Sequence, residues 1–316
     1  MLTYVGRRLF QSIPVLFLSS IVVFFFIRLI PGDTAMVMAG PNATPEQVAA
    51  LRARFGTDQP LLAQYISWMG RMARGDLGTS YVGQRPIAML IIQRLPATMH
   101  LAVGAMAVVI VAGGSLGIFS AVRPRHPASR LIALFSALAL ATPTFWLGIL
   151  LILLFSVSLH WLPASGYVSI TDDPVQSVRL LLLPSITLGM GGTAVLIRFL
   201  HSSISEVLGS DFVRTAHAKG LPERTVVGKH ILKVALLPVV TVMAIQFGYL
   251  LGGAVITEAI FGWPGVGRLT LDAIGNRDYL IVQSTMLLFV TTFILMNILA
   301  DISYAFLDPR IRYGSN

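Results

Sequence analysis

Six apolar runs, at about 9–30, 98–122, 130–157, 180–205, 235–257 and 281–306, leave this chain few ways to fold. A helix rises about 1.5 Å per residue, so roughly 20 apolar residues cross the hydrocarbon layer of a bilayer. No water serves backbone amides there, and each run must close its own hydrogen bonds as a helix. The expectation is an all-α integral membrane protein with six transmembrane helices. Charged residues make up 12% of the 316-residue chain, against about 25% in soluble domains. The first run follows Arg7 and Arg8 in the manner of a signal peptide. Its apolar core outlasts the roughly 7–15 residues of a secretory segment, so it reads as a retained span.

Charge in the short loops sets the expected orientation. The turn 123–129 carries Arg123 and Arg125 and no acid, and Arg130 follows it. The loop 206–234 carries Arg214, Arg224 and the chain's three lysines, Lys219, Lys229 and Lys233, while the tail 307–316 adds Arg310 and Arg312. By contrast, the loop 158–179 holds Asp172 and Asp173, with no Lys or Arg before Arg179 at its end. The loop 258–280 balances Arg268 and Arg277 against Asp272 and Asp278, with Glu258 at its edge. The positive-inside rule then places both termini (1–8 and 307–316), the 123–129 turn and the lysine loop in the cytoplasm. The segment 31–97 has six arginines, but segments beyond about 60 residues translocate largely regardless of charge.

Several chemistries are excluded or unsupported. The chain has no cysteine, hence no disulfide or thiolate site. Its net charge of +9 comes without an aromatic-interleaved basic patch, so nucleic acid is not an expected partner. The six histidines show no metal-ligand spacing, and neither metal nor cofactor is expected. A phosphate-binding loop needs Lys followed by Ser or Thr; here Gly220, His230 and Val234 follow the lysines. Gly113-Gly114-Ser115-Leu116-Gly117 matches a hydrolase elbow but lies in an apolar run, where it reads as close helix packing. Gly189-x-Gly191-x-x-Ala194 lacks a βαβ context, and Gly248-x-x-x-Gly252 with Gly253 is another small-residue face. Arg28, Arg198, Glu206, Glu258 and Asp301 fall toward span ends, leaving Gln246 and Asn297 as the deep polar residues. An ion-driven pump usually displays ionisable groups in its spans, so any driving energy should enter from elsewhere.

Two stretches between spans have readable structure. Thr44-Pro45-Glu46-Gln47 is a capping box with Pro at the first helical position, and Gly56 is a stop. A second helix should run from Pro60 to Ala73 and end at Gly75, with Leu61, Leu62, Tyr65, Ile66, Met69 and Met72 on one face. That face would lie on lipid or receive an outside partner. In the lysine loop, Asp211 should cap a helix to about Lys219, Gly220 should stop it, and Pro222 should open another at once. The result would be a stiff basic knob, resting on anionic lipid or presented to a protein.

Arg214-Thr215-Ala216-His217-Ala218-Lys219-Gly220-Leu221, closing with Leu237-Pro238, resembles the "EAA" coupling loop of bacterial ATP-binding-cassette (ABC) importer permeases. More narrowly it is similar to the dipeptide/oligopeptide/nickel group, which includes glutathione permeases. The likeness extends along nearly the whole chain. It includes Tyr4-Val5-x-Arg7-Arg8, Pro31-Gly32-Asp33, Asp58-Gln59-Pro60-Leu61, Gly75-Asp76-Leu77-Gly78-x-Ser80 and Arg94-Leu95-Pro96-Ala97-Thr98. Further on come Trp161-Leu162-Pro163, Phe261-x-Trp263-Pro264-Gly265-x-Gly267-Arg268, Arg277-Asp278-Tyr279 and Asp308-Pro309-Arg310. Arg214 stands near the place of the glutamate that names the loop, His217 stands where arginine is expected, and the spacing from Gly220 to Pro238 is long.

The resemblance implies the type I importer permease fold in a bacterial cytoplasmic (inner) membrane. It also implies a second related permease, two ATPase subunits and an extracytoplasmic substrate-binding protein as partners, with lipid around them. ATP hydrolysis would belong to the separate subunits, so the chain itself is not expected to be an enzyme. Arg214, Thr215, Ala216, His217, Ala218, Lys219, Gly220, Leu221, Pro222 and Glu223 would seat in an ATPase groove. Thr193, Gln246, Gly252, Gly253 and Asn297 are candidates for the path wall. Phe261, Trp263, Pro264, Gly265 and Arg268 would form a scoop near the binding protein. The expected cargo is a di- or oligopeptide or peptide-like compound, with glutathione or nickel as alternatives. An ion-coupled secondary transporter and a non-transporting membrane scaffold are the readings from other classes.

Overall fold

The computed structural model describes residues 2–29 and 33–307. Pro31, Gly32 and the tail residues 308–316 lie outside the described residues, as does the last position of the first expected span. In chain order the helices are α1 (Leu2–Leu29), α2 (Thr34–Ala39), α3 (Pro45–Phe55), α4 (Leu61–Ala73) and α5 (Ile87–Val108). Then come α6 (Gly114–Val122), α7 (Pro127–Ala141), α8 (Thr144–Leu151), α9 (Pro174–Leu208) and α10 (Asp211–Ala218). The last are α11 (Glu223–Thr225), α12 (Leu232–Ala235), α13 (Leu237–Ile260), α14 (Val266–Gly275) and α15 (Tyr279–Leu307). Among the described residues there is no strand, only one isolated bridge between Thr79 and Pro86.

Five helical stretches are long and apolar enough to cross a membrane: Gly6–Leu29, Ile87–Val122, Pro174–Leu208, Leu237–Ile260 and Tyr279–Ser303. The region expected to cross as one span at 130–157 is instead two helices, Pro127–Ala141 and Thr144–Ser158, meeting at 109°. Pro143 is the cause. A residue before proline is pushed out of the helical region, and Thr142 is extended at φ −84°, ψ 124°. Its hydroxyl and amide both donate to the Leu138 carbonyl, at 2.7 and 3.0 Å. The second span also begins earlier than 98, at Ile87. Gln93, Arg94 and Pro96 lower the local hydropathy there, but an α-helix does not require apolar residues. A π-helical turn, Val109–Gly113, joins α5 to α6.

The chain divides into two compact units. The first comprises residues 1–98 and 263–292. Its core includes Phe24 of α1, Tyr65 and Trp68 of α4, Ile87 and Ile91 of α5, Leu269 of α14 and Leu280 of α15. The Phe24 ring meets Tyr65 edge-on at 5.2 Å and Trp68 at 5.6 Å. The expected apolar face of α4 is therefore split: Tyr65 and Trp68 are buried, with Met69 and Met72 packed beside them, while Leu61, Leu62 and Ile66 are exposed. The capping box at Thr44–Gln47 is formed, and Gly56 closes α3 at φ +68°.

The second unit, residues 99–262 and 293–316, is organised on α9. Small residues let α5 and α6 approach that helix. A Cβ on Gly189 would lie 2.8 Å from the Ala105 carbonyl oxygen, and one on Gly117 would lie 3.1 Å from the Ile197 Cα. Ser115 is exposed and donates to its own helix at the Val111 carbonyl, 2.6 Å away. The G-x-S-x-G stretch thus supplies a helix seam. Gly189→Ala should destabilise the protein by about 1–3 kcal/mol, because backbone rather than a mobile side chain must move. Thermal unfolding in detergent reads this out, and an unshifted midpoint would contradict the close approach.

Candidate functional site: the lysine loop and the Trp263 turn

The lysine loop folds as a turn between short helices, with details that differ from expectation. Ser210, extended at φ −77° and ψ 153°, occupies the cap of α10, but its hydroxyl points back to the Val207 carbonyl at 2.6 Å. Asp211 is the first helical residue instead, where its charge still complements the positive end of the helix dipole. The Asp211–Arg214 pair is 3.4 Å apart and nearly fully exposed, so it contributes little.

The C-terminus of α10 is closed by a pair of reverse-turn bonds. Gly220 N–H donates to the His217 carbonyl at 2.9 Å and Leu221 N–H to the Ala216 carbonyl at 3.4 Å. This Schellman arrangement needs a left-handed residue, and Gly220 sits at φ +73°. Pro222 then caps α11 at φ −66°, ψ 145° rather than entering the helix, and its carbonyl accepts from Thr225 N–H at 2.8 Å. Across the turn, His217 Nε2 lies 3.7 Å from Glu223 Oε2.

Packing makes the knob part of the second unit's core. Val213, Ala216, Val226, Ile231 and Ala235 are buried with Leu200 and Ile204 of α9 and Ala121 of α6. The Ser203 hydroxyl donates to the Ala235 carbonyl at 2.9 Å, fastening α9 to α12. What faces outward is Arg214, Thr215, His217, Ala218, Lys219, Gly220, Pro222 and Glu223, with Leu221 half-buried. Ala216 therefore serves the chain's own packing, not a partner's approach.

The candidate path residues do not form a single wall. Thr193 is sealed in helix packing, its hydroxyl donating to the Gly189 carbonyl at 2.9 Å. Gln246 is half-buried beside Gly192, while Gly252 and Gly253 are exposed on α13 with Tyr249 and Ile256. Asn297 is half-buried on α15 and donates to the Phe293 carbonyl at 2.8 Å. The Tyr249–Ile256 face was not singled out from sequence, because its apolar and small residues look like any other helix surface.

The Trp263 turn also departs from expectation. Trp263 is 0% exposed and Phe261 1%, so neither is available to an external protein or to the membrane interface. In the first unit, Trp263 Nε1–H donates to the Ala97 carbonyl at 2.8 Å and Val266 N–H donates to Thr98 Oγ1 at 2.8 Å. Gly265 is buried, and Pro264 and Arg268 are half-buried. Sequence motifs far apart in the chain thus meet as hydrogen-bonded pairs. The Asp278 carboxylate likewise accepts from the Ser80 hydroxyl at 2.6 Å and from Val82 N–H at 3.2 Å. Thr34 Oγ1 donates to the Arg277 carbonyl at 2.7 Å, and Asp33 Oδ2 pairs with Arg52 Nε at 2.6 Å.

The described residues thus form helices and no strand, with five stretches long and apolar enough to span a membrane, one bent pair and a packed helical knob. Residues 113–313 match the family described as the binding-protein-dependent transport system inner membrane component, and residues 1–102 match the N-terminal model of such membrane components. The chain belongs to this family: it is a multi-pass inner-membrane permease subunit of an ABC importer, not an enzyme. It is 43% identical over 314 residues to the glutathione transport system permease protein GsiC of Escherichia coli, spanning 99% of this chain and 100% of that one. The protein of the same name from Salmonella paratyphi A is 42% identical with equal coverage. A solved inward-facing structure of the MetNI methionine ABC transporter shares the fold at a TM-score of 0.57 and 16% identity, covering 70% of this chain and 97% of that one.

Trp263→Phe removes the indole donor and leaves the Ala97 carbonyl without it, a loss of about 1–3 kcal/mol. A fall in the thermal midpoint with helicity unchanged is expected; wild-type stability would show that the bond contributes nothing.

Proposed function

We propose that this chain forms half of the translocation path of an importer for glutathione or a closely related small peptide. The observation that carries the cargo reading is the 43% identity to glutathione permeases along the full length of both chains. In this reading a second related permease lines the other half. Two ATPase subunits grip the outward face of the 214–223 knob, and an extracytoplasmic binding protein delivers cargo. Nickel and longer peptides are the alternative cargoes. Uptake of labelled glutathione, a dipeptide, an oligopeptide and nickel in cells with and without this gene separates them. Glutathione uptake that persists unchanged on deletion removes the reading.

The coupling role draws support from the way the knob is held. Its exposed crest stands on buried Val213, Ala216 and Val226, so a displacement of the crest moves α9 and α12 with it. A Cβ on Gly220 meets nothing within 4 Å, and a substitution there acts through the backbone alone. A left-handed residue with a side chain costs about 1–2 kcal/mol, enough to reshape the turn without unfolding the spans. Gly220→Val should lower uptake and substrate-stimulated ATP hydrolysis at least about tenfold while membrane insertion stays normal. Full transport by this variant ends the coupling assignment.

The proposed orientation has both termini and the knob in the cytoplasm. Because the chain has no cysteine, single cysteines report cleanly. Thr171→Cys should react with a membrane-impermeant maleimide in intact spheroplasts and Lys219→Cys only after lysis; the reverse pattern inverts the topology.

A further inference from the structure

The first unit holds a cavity of about 220 Å³ that the transport reading does not use. It is lined by Arg28 of α1, Arg54 of α3, Trp68 and Arg71 of α4, and Gln283 of α15, with no carboxylate among its lining residues. Asp76 lines the adjoining space beside Arg54 and Arg71. Three guanidinium groups against that one exposed carboxylate leave an excess of positive charge that favours an anion between them. Arg28 is oriented by bonds to Gln64 Oε1 at 2.9 Å and the Phe24 carbonyl at 3.0 Å. Arg54, at the exposed edge, donates to Gln84 Oε1 at 3.0 Å.

The second observation is independent of charge. Trp68 Nε1, Arg71 Nε and Gln283 Nε2 are buried and have no hydrogen-bond partner among the described residues. Trp68 is 3% exposed and Gln283 1%. All three atoms are donors, and folded proteins rarely leave buried donors unpaired. Tyr81 also lines the cavity; burial pushes its phenol above the ordinary tyrosine range, so it adds no negative charge of its own. Asp278 does not line the space; its Oδ2 accepts from Ser80 and Val82, while its Oδ1 is buried with no hydrogen-bond partner among the described residues.

We propose that this cavity binds a compact oxyanion, the carboxylate or phosphate end of a larger ligand. Buried donors plus guanidinium groups suit an acceptor-only group that bears charge. The volume is below the roughly 300–1,000 Å³ of pockets that enclose whole ligands, so an end group enters and the remainder stays outside. Two sources share this chemistry: a soluble ligand with a carboxylate or phosphate, and the headgroup of an anionic lipid. The site stands whether or not the cargo is glutathione.

The test uses the assembled transporter in phosphatidylcholine nanodiscs, titrated with succinate or inorganic phosphate at constant ionic strength against chloride. Parallel nanodiscs contain phosphatidylglycerol. A saturable rise in the thermal midpoint with either soluble anion assigns the site to a soluble ligand. A rise confined to phosphatidylglycerol assigns it to a headgroup. Arg54→Gln, an exposed position that leaves folding intact, should weaken the response about tenfold. Gln283→Leu should abolish the response while leaving the ligand-free protein at least as stable, since it removes an unpaired donor. The proposal is overturned if no anion exceeds chloride and phosphatidylglycerol adds nothing, or if both variants respond as the wild type does.

Discussion

Backbone amides that enter a hydrocarbon layer have to bring their hydrogen-bond partners with them. That requirement explains the helices, and it also explains how each interruption is handled. At Pro143 the chain turns through 109°, and the hydroxyl of Thr142 takes up the carbonyl of Leu138 at the break. The span around α5 absorbs its irregularity as a π-helical turn, Val109–Gly113, which keeps the amides bonded while changing the helix phase. Near Pro96 an indole N–H from a distant turn supplements the bonding of the Ala97 carbonyl.

The knob illustrates how a loop is made stiff enough to carry force. Two backbone bonds close α10 around Gly220, and Pro222 fixes the direction in which the chain leaves. Those local devices would be of little use on a loosely attached loop. Here the inner side of the turn is continuous with the core around Leu200 and Ile204, so crest and span form one packed body. Well-packed interiors transmit displacement with little compression. A rigid attachment of this kind is what the proposed coupling to a separate motor requires.

In the first unit, the residues that gave the chain its family likeness are mostly not surface contacts. Trp263 bonds to the 94–98 motif, Asp278 to Ser80, and Arg52 to Asp33. They act as clasps between segments that loop away from each other in sequence. A resemblance based on such residues therefore says more about shape than about which face meets a partner. The arginine-lined cavity between α1, α3, α4 and α15 arises from the same convergence.

The elements readable in the sequence are those set by local physics. Apolar runs of spanning length, the capping box at Thr44–Gln47, and the glycine stops at Gly56 and Gly220 each depend on residues within a few positions of one another. The general form of the knob was legible for that reason, down to its left-handed hinge. Only the tertiary structure decided which side of each helix is buried. It turned Ala216 inward, split the face of α4 between Tyr65 and Leu62, sealed Thr193, and made Trp263, expected in a scoop near a binding protein, a core donor. In a chain this apolar nearly every face is greasy enough to be buried, so hydropathy cannot choose among them. That choice rests on long-range packing and on where distant hydrogen-bond partners happen to stand.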